Sequence, residues 1–209
     1  MDREVVALFD FDGTLTRRDT LPMFIRHASG VWGLLWALLS NMPAMIVLAC
    51  AGWKTVWGID ASTTKERLLR GCFAHKKCED VATLAREFAT KIEDVKAPTV
   101  VKQMCNHIAQ GNRVAIVSAS ADVWVAPWAS RYGVTDIIAT QMEIGEGCYT
   151  GRFAGGNCNG EEKVRRIREM FPREKYHLVA YGNSSGDYPM LRYAHEAYMC
   201  KDDVITPFK

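Results

Sequence analysis

Two rhythms of hydrophobic and polar positions run through this chain. Short unbroken apolar runs such as Val5-Val6-Ala7-Leu8, which ends at Asp10 after Phe9, Val114-Ala115-Ile116-Val117 and Leu178-Val179-Ala180-Tyr181 stop at polar residues or glycine. Runs of this length, rich in β-branched residues, read as strands buried on both faces. Between them apolar residues recur three and four apart, the spacing of helices that bury one side. The runs predict strands over Val5–Leu8, Arg113–Ser118, Asp136–Thr140 and His177–Gly182, a short fifth at Ala197–Cys200, and a hairpin over Gly145–Gly151. The spaced stretches predict helices that start at Asp19, Ser62 and about Glu79, and others over Pro98–Gly111, Trp124–Arg131 and Glu161–Met170. Thr63 and Glu66 have the spacing of a capping box for the second of these. Strands alternating with helices predict an α/β fold, a doubly wound parallel sheet with its ligand site at the strands' C-terminal ends. Residues from about Arg17 to Val95 break the alternation and read as an all-helical insertion. The expected division is a catalytic core of residues 1–16 and 96–209 and a helical cap of residues 17–95.

One stretch of the insertion follows neither rhythm. From Ala28 to Trp53 there is no Asp, Glu, Lys or Arg, and apolar residues face all sides, as in a buried helix or one in contact with membrane. The length suits a span of about 20 residues, but Asn41-Met42-Pro43 interrupts it and leaves halves of about ten, enough for half a bilayer core. A kinked helix or a helical hairpin in the membrane interface therefore fits better than a span. Trp32, Trp36, Trp53 and Trp57 would sit at headgroup level. Burial inside a helical bundle, or a homodimer formed through the cap, accounts for the same composition.

Composition narrows the class only a little. The 209 residues are 48% hydrophobic and 24% charged, which excludes wholesale disorder, and a net charge of +2 gives no reason to expect nucleic acid. Nucleotide-binding glycine motifs are absent after every expected strand. The seven cysteines form no Cys-x-x-Cys pair, which argues for reduced thiols. The chain enters its first strand straight after Met1-Asp2-Arg3, so a cytoplasmic location is expected, at the inner face of the membrane if the uncharged stretch touches lipid.

The chemistry is concentrated where the first run ends, in Phe9-Asp10-Phe11-Asp12-Gly13-Thr14-Leu15-Thr16. Side chains alternate along a strand, so Asp10 and Asp12 point the same way and share a small space. Two close carboxylates repel unless a cation offsets them, and a hard divalent ion such as Mg2+ suits oxygen ligands.

Asp10-Phe-Asp12-Gly-Thr-Leu-Thr resembles the first motif of the haloacid dehalogenase superfamily, whose phosphatases use the first Asp as nucleophile and the second as general acid/base. Three later positions match the family's other motifs. Ser118, in Ile116-Val117-Ser118-Ala119-Ser120, resembles the hydroxyl residue that holds the phosphoryl group with neighbouring amides, here those around Thr14 and Ala119. Lys163, just inside a helix, is similar to the lysine that contacts nucleophile and phosphate. Gly182-Asn183-Ser184-Ser185-Gly186-Asp187 resembles the acidic motif that completes the magnesium site, with Asn183 where most members carry Asp. An amide oxygen can ligate a cation but brings no charge.

The resemblance therefore implies a Mg2+-dependent phosphomonoester hydrolase with Asp10, Asp12 and Lys163 as catalytic residues. Thr14, Ser118, Ala119 and Lys163 would bind phosphate, and Asp10, Asp12, Asn183 and Asp187 would form the metal site. Asp187 either ligates the ion or positions Asn183 and Lys163. A helical insertion after the first motif resembles the branch that holds phosphoserine phosphatase and a bacterial phosphatidylglycerophosphate phosphatase. The uncharged stretch favours a phospholipid or other amphiphilic phosphate over a small soluble metabolite. An amino-acid phosphate would need recognition groups in the insertion, for which Arg26 and Arg67 are candidates. A phosphate-binding protein that has lost turnover is the alternative that Asn183 keeps open.

Overall fold

A computed structural model describes residues 3–50 and 61–209; Trp53 and Trp57 lie outside the described residues. In chain order the elements are β1 (Glu4–Phe9), α1 (Thr20–Cys50), α2 (Ala61–Phe73), α3 (Cys78–Ile92), α4 (Pro98–Ala109), β2 (Arg113–Ala121), α5 (Asp122–Ser130), β3 (Asp136–Gly145), β4 (Cys148–Ala154), α6 (Glu161–Met170), β5 (Tyr176–Gly182), α7 (Tyr188–Tyr193), β6 (Glu196–Lys201) and β7 (Val204–Pro207). The strands form one sheet in the order β4-β3-β2-β1-β5-β6-β7. The inner five are parallel, while β4 and β7 pair antiparallel at the two edges. This is the doubly wound α/β sheet that the alternation of runs predicts.

β1 is central and its residues from Val6 to Phe9 are fully buried. Alternation then separates two apolar layers. Val6 and Leu8 pack with Leu178, Ala180, Ile167 and Phe171 on one face. Ala7 and Phe9 face the other, in a cluster that includes Ile116, Val100 and Met104. That second cluster runs on without a break into α1, α2 and α3. Phe24 of α1 stacks on Trp124 of α5 at 4.6 Å and on Phe73 of α2 at 5.3 Å, with Phe88 of α3 edge-on at 5.2 Å. Full burial of each such ring stabilises by roughly 1.5–3 kcal/mol, so α5 ties the helices between β1 and β2 to the sheet. The β3–β4 hairpin adds main-chain bonds, from His75 N to Tyr149 O and from Tyr149 N to Lys76 O, both 2.9 Å.

Several local expectations need correction. The uncharged stretch does not break at Asn41-Met42-Pro43, because α1 runs helically through it; the break is at Gly30, with φ 71° and ψ −177°, a conformation that only glycine adopts without strain. Pro43 removes a single hydrogen bond, which a long helix tolerates better than a reversed φ. Thr63 lies inside α2 and not at its cap. β2 and β3 outrun their apolar cores, to Ala121 and Gly145, and α7 and β7 have no apolar run of their own. Among the described residues no helix is long and apolar enough to cross a membrane.

Candidate active site

The chain leaves β1 at Phe9, yet the Asp10 amide still bonds Tyr181 O of β5 at 2.9 Å, so Asp10 continues the line of the central strand. Its carboxylate is buried at 6% exposure. Oδ1 accepts from Lys163 Nζ at 2.6 Å and Oδ2 from Thr14 Oγ1 at 2.9 Å. Gly13 (φ 80°) makes the turn that returns Thr14 to Asp10. A Cβ at Gly13 would collide with Asn183 Nδ2, so space and backbone both demand glycine there.

Lys163 is the third residue of α6 and is 1% exposed. Besides Asp10 its Nζ donates to Val117 O at 2.9 Å and to Asp187 Oδ1 at 2.6 Å, which uses all three ammonium donors. Asp187 Oδ2 accepts from Asn183 N at 3.1 Å, Ser184 N at 3.0 Å and Ser184 Oγ at 2.9 Å. One carboxylate therefore orients the lysine and closes the turn after β5. Asp12 is held differently. Its Oδ1 accepts from Thr20 N and Thr20 Oγ1, both at 2.7 Å, and Oδ2 accepts from Ser120 Oγ. Trp124 Nε1 donates to Thr20 Oγ1 at 2.9 Å, so a buried indole fixes the group that fixes Asp12.

One lysine shared between two buried carboxylates leaves one of them short of charge. Burial opposes ionisation of Asp187, but Lys163 and the turn's donors overcome it and hold the group below the usual carboxylate range. Asp10 is pushed up to about 7 by burial and by the charge of Asp187, against the pull of Lys163. Burial also works against the charge on Lys163, yet Asp10 and Asp187 outweigh it and raise its pKa. Asp12 is raised by burial and then by Asp19, against the bonds from Ser120 and Thr20.

These groups open on a cavity of about 400 Å³ at the sheet's C-terminal edge. Asp10, Asp12, Ser118, Ala119, Lys163 and Asp187 line its floor, and Leu21, Pro22, Ile25, Leu34, Leu38 and Leu68 wall it from α1 and α2. Ser118 Oγ accepts from Ser120 N at 2.9 Å. The Thr14 amide bonds Phe11 O at 3.2 Å, which leaves its hydroxyl to hold Asp10. The Asn183 side chain packs over Gly13 and lines a separate depression with Thr16 and Tyr188.

The floor is built of oxygen donors with more negative than positive charge, an excess that adds to burial in raising Asp10. Such a set fits a hard cation. Among the described residues no three Asp, Glu, His or Cys side chains gather as a ligand cluster, so an ion here would draw on main-chain or amide oxygen beside Asp10.

Sequence reasoning missed three groups. Thr20 reads as a helix start and Ser120 as the tail of a motif, yet both hold Asp12. Lys65 of α2 reads as part of a capping sequence, yet it reaches the cavity and donates to Ala119 O at 2.6 Å. No local signal marks that contact across 54 residues. Arg26 and Arg67, the cations expected to face a substrate, are exposed and absent from the cavity wall.

Known proteins resemble this chain in sequence and in fold. The family model of haloacid dehalogenase-like hydrolases matches residues 7–192. The chain is 31% identical over 194 residues to "Protein CicA" of Caulobacter vibrioides, covering 92% of this chain and 84% of that one. It is 35% identical over 131 residues to a "Probable phosphatase" of Mycobacterium tuberculosis, covering 59% of this chain and 45% of the relative. A phosphoserine phosphatase solved as a phospho-aspartyl intermediate analogue superposes with a TM-score of 0.62 at 17% identity, covering 94% of this chain and 86% of that one, a likeness of fold. With the motifs at the strand ends and the family match over most of its length, the chain belongs to the haloacid dehalogenase-like hydrolases.

Proposed function

We propose that the protein hydrolyses phosphomonoesters through an aspartyl-phosphate on Asp10. The observation that carries this reading is the Asp10 carboxylate, buried on Lys163 in a cavity whose floor also presents Asp12 and Ser118. An Asp10 oxygen attacks phosphorus, the bond to the ester oxygen breaks, and Asp12 gives that oxygen its proton. Water then attacks phosphorus and passes a proton to Asp12, the bond to Asp10 breaks, and inorganic phosphate leaves. Burial, which raises Asp12, favours the protonated form that gives the leaving oxygen its proton. Lys163, held by Asp187, offsets charge on the phosphoryl oxygens beside Ser118 and Ala119. Asp187 acts as a positioning residue, since one of its oxygens holds Lys163 and the other closes the turn after β5.

Asp10, the main chain at Asp12 and the Asn183 amide oxygen would hold Mg2+, which when bound supplies positive charge to the phosphoryl group and to Asp10. An Asn in place of Asp weakens that hold, because it offers an oxygen without charge.

The substrate that fits best carries an apolar part. Apart from Thr64 and Lys65 the cavity wall from α1 and α2 is hydrocarbon, and through Leu38 it meets a groove of about 900 Å³ on the outer face of α1, lined by Trp32, Leu35, Trp36, Leu39, Met42 and Ile46. A phospholipid or similar amphiphile, met at a membrane surface by Trp32, Trp36, Leu39 and Ile46, uses both. A small soluble phosphate is the second reading, favoured by the fold shared with phosphoserine phosphatase. The mechanism is tested by following hydrolysis of an aryl phosphate with added Mg2+. Asp10→Asn is expected to reduce turnover by at least three orders of magnitude, and unchanged turnover would refute the assignment.

A further inference from the structure

We infer that Thr64 and Lys65, in the first turns of α2, form a leaving-group subsite that binds a second anionic oxygen group of the substrate, a carboxylate or a phosphodiester. The inference rests on the phosphomonoesterase reading and concerns the part of the ester that departs.

Both residues line the cavity that holds Asp10, Asp12 and Lys163. Among the described residues the Lys65 amine makes one hydrogen bond, to Ala119 O at 2.6 Å, and enters no ion pair. An ammonium carries three donors, so two remain for a ligand. The nearest carboxylates do not take them. Asp12 accepts from Thr20 and Ser120 instead, and Asp19 Oδ1 from the Leu21 amide at 2.9 Å.

Thr64 supplies the independent observation. It is 5% exposed, and its Oγ1 is buried with no hydrogen-bond partner among the described residues. A buried hydroxyl left unpaired costs about 1–3 kcal/mol, and a native structure keeps such a group where something outside the fold pairs with it. An orphan hydroxyl and an under-used ammonium on consecutive residues of one cavity wall make a built site for oxygen carrying negative charge. Lys65 is anchored on Ala119, next to Ser118, so the second anion lies within a few bonds of the ester oxygen. Beyond it the wall is apolar, formed by Leu34, Leu38 and Leu68. The substrate class is therefore a phosphomonoester of an alcohol that also bears an acidic group.

The test compares three phosphomonoesters: one of a hydroxy acid, one of an alcohol carrying a methyl phosphodiester, and ethylene glycol monophosphate as the neutral reference. Wild type is expected to prefer at least one anionic ester by tenfold or more in kcat/KM, and the preferred one separates carboxylate from diester. Lys65→Met should reduce that preference at least tenfold, chiefly through KM, Lys65→Arg should keep most of it, and Thr64→Val should reduce it about threefold. Absence of preference in wild type, or an equal fall for all three esters in Lys65→Met, overturns the subsite. If Lys65→Met does not fold, the Thr64→Val and Lys65→Arg ratios decide. Calorimetric titration of the same esters separates the two readings. Lys65-dependent binding without turnover would sink the hydrolase assignment and keep the subsite, whereas turnover without preference would do the reverse.

Discussion

The floor of the cavity and the outer face of α1 meet at Leu38 and are built on opposite principles. On the floor Asp10, Asp12, Lys163 and Asp187 all have hydrogen-bond partners, and the lysine has three. On the outer face Trp32 is 83% and Trp36 69% exposed, with Leu39 at 63% and Ile46 at 54%. A buried charge is tolerated only where its partners are already in place. An apolar face on a soluble surface carries no such internal requirement, and a contiguous patch of this kind marks contact with something beyond the folded chain. The floor makes its hydrogen bonds within the molecule, whereas the α1 side chains are left facing outward.

The largest effect is expected on the floor. Lys163→Met leaves Asp10 and Asp187 buried without their shared cation. Breaking such a cluster costs about 3–5 kcal/mol, so chemical denaturation should show a loss of that order at pH 8, together with loss of turnover. The loss should shrink at pH 5, where one carboxylate can take a proton. A variant as stable as wild type at pH 8 would show that the lysine compensates nothing, and the contrast with α1 would disappear.

The next effect is a slope with pH, and its sign follows from Asp10. A carboxyl whose folded pKa, about 7, exceeds its unfolded value binds more protons folded than unfolded. Its contribution to stability is thus present at low pH and lost as pH rises from about 4 to 7, by a few kcal/mol at most. Asp187, held low, contributes in the opposite sense below that window. In metal-free buffer Asp10→Asn should therefore gain stability relative to wild type as pH rises from 4 to 7, and Mg2+ should narrow the gap. A flat difference across that window would mean that Asp10 is not strained by its neighbours.

The same contrast explains what the sequence could reveal. The floor was legible because each of its groups sits at the end of an apolar run or the start of a helix, where a short motif and a strand together fix one position. α6 keeps the bounds its pattern predicts. β7 escaped detection because its four residues, Val204–Pro207, follow Asp202 and Asp203, both with positive φ, and offer no run long enough to read. Lys65 and Ser120 escaped because their partners are remote in sequence. For α1 the composition announced an unusual face, yet the break fell at Gly30, since a helix loses less to one missing donor than to a backbone that leaves the helical region.

The smallest effect on stability is expected where exposure is greatest. Trp36→Ser with Leu39→Ser removes two large side chains that the fold does not bury. Substitutions away from packed or paired groups stay within about 0.5 kcal/mol, so the denaturation midpoint of the double variant should match wild type and its aryl phosphatase rate should be retained. What should change is association. Flotation with anionic phospholipid vesicles is expected to recover wild type and to recover the double variant several-fold less, because the lost indole and isobutyl groups are the ones an acyl layer would cover. If the variant instead loses 2 kcal/mol or more, these side chains pack within the folded chain or a second copy of it. If vesicles recover neither protein while light scattering shows a wild-type dimer that the variant lacks, the apolar face joins two copies, and the substrate's apolar part must be sought within the cavity alone.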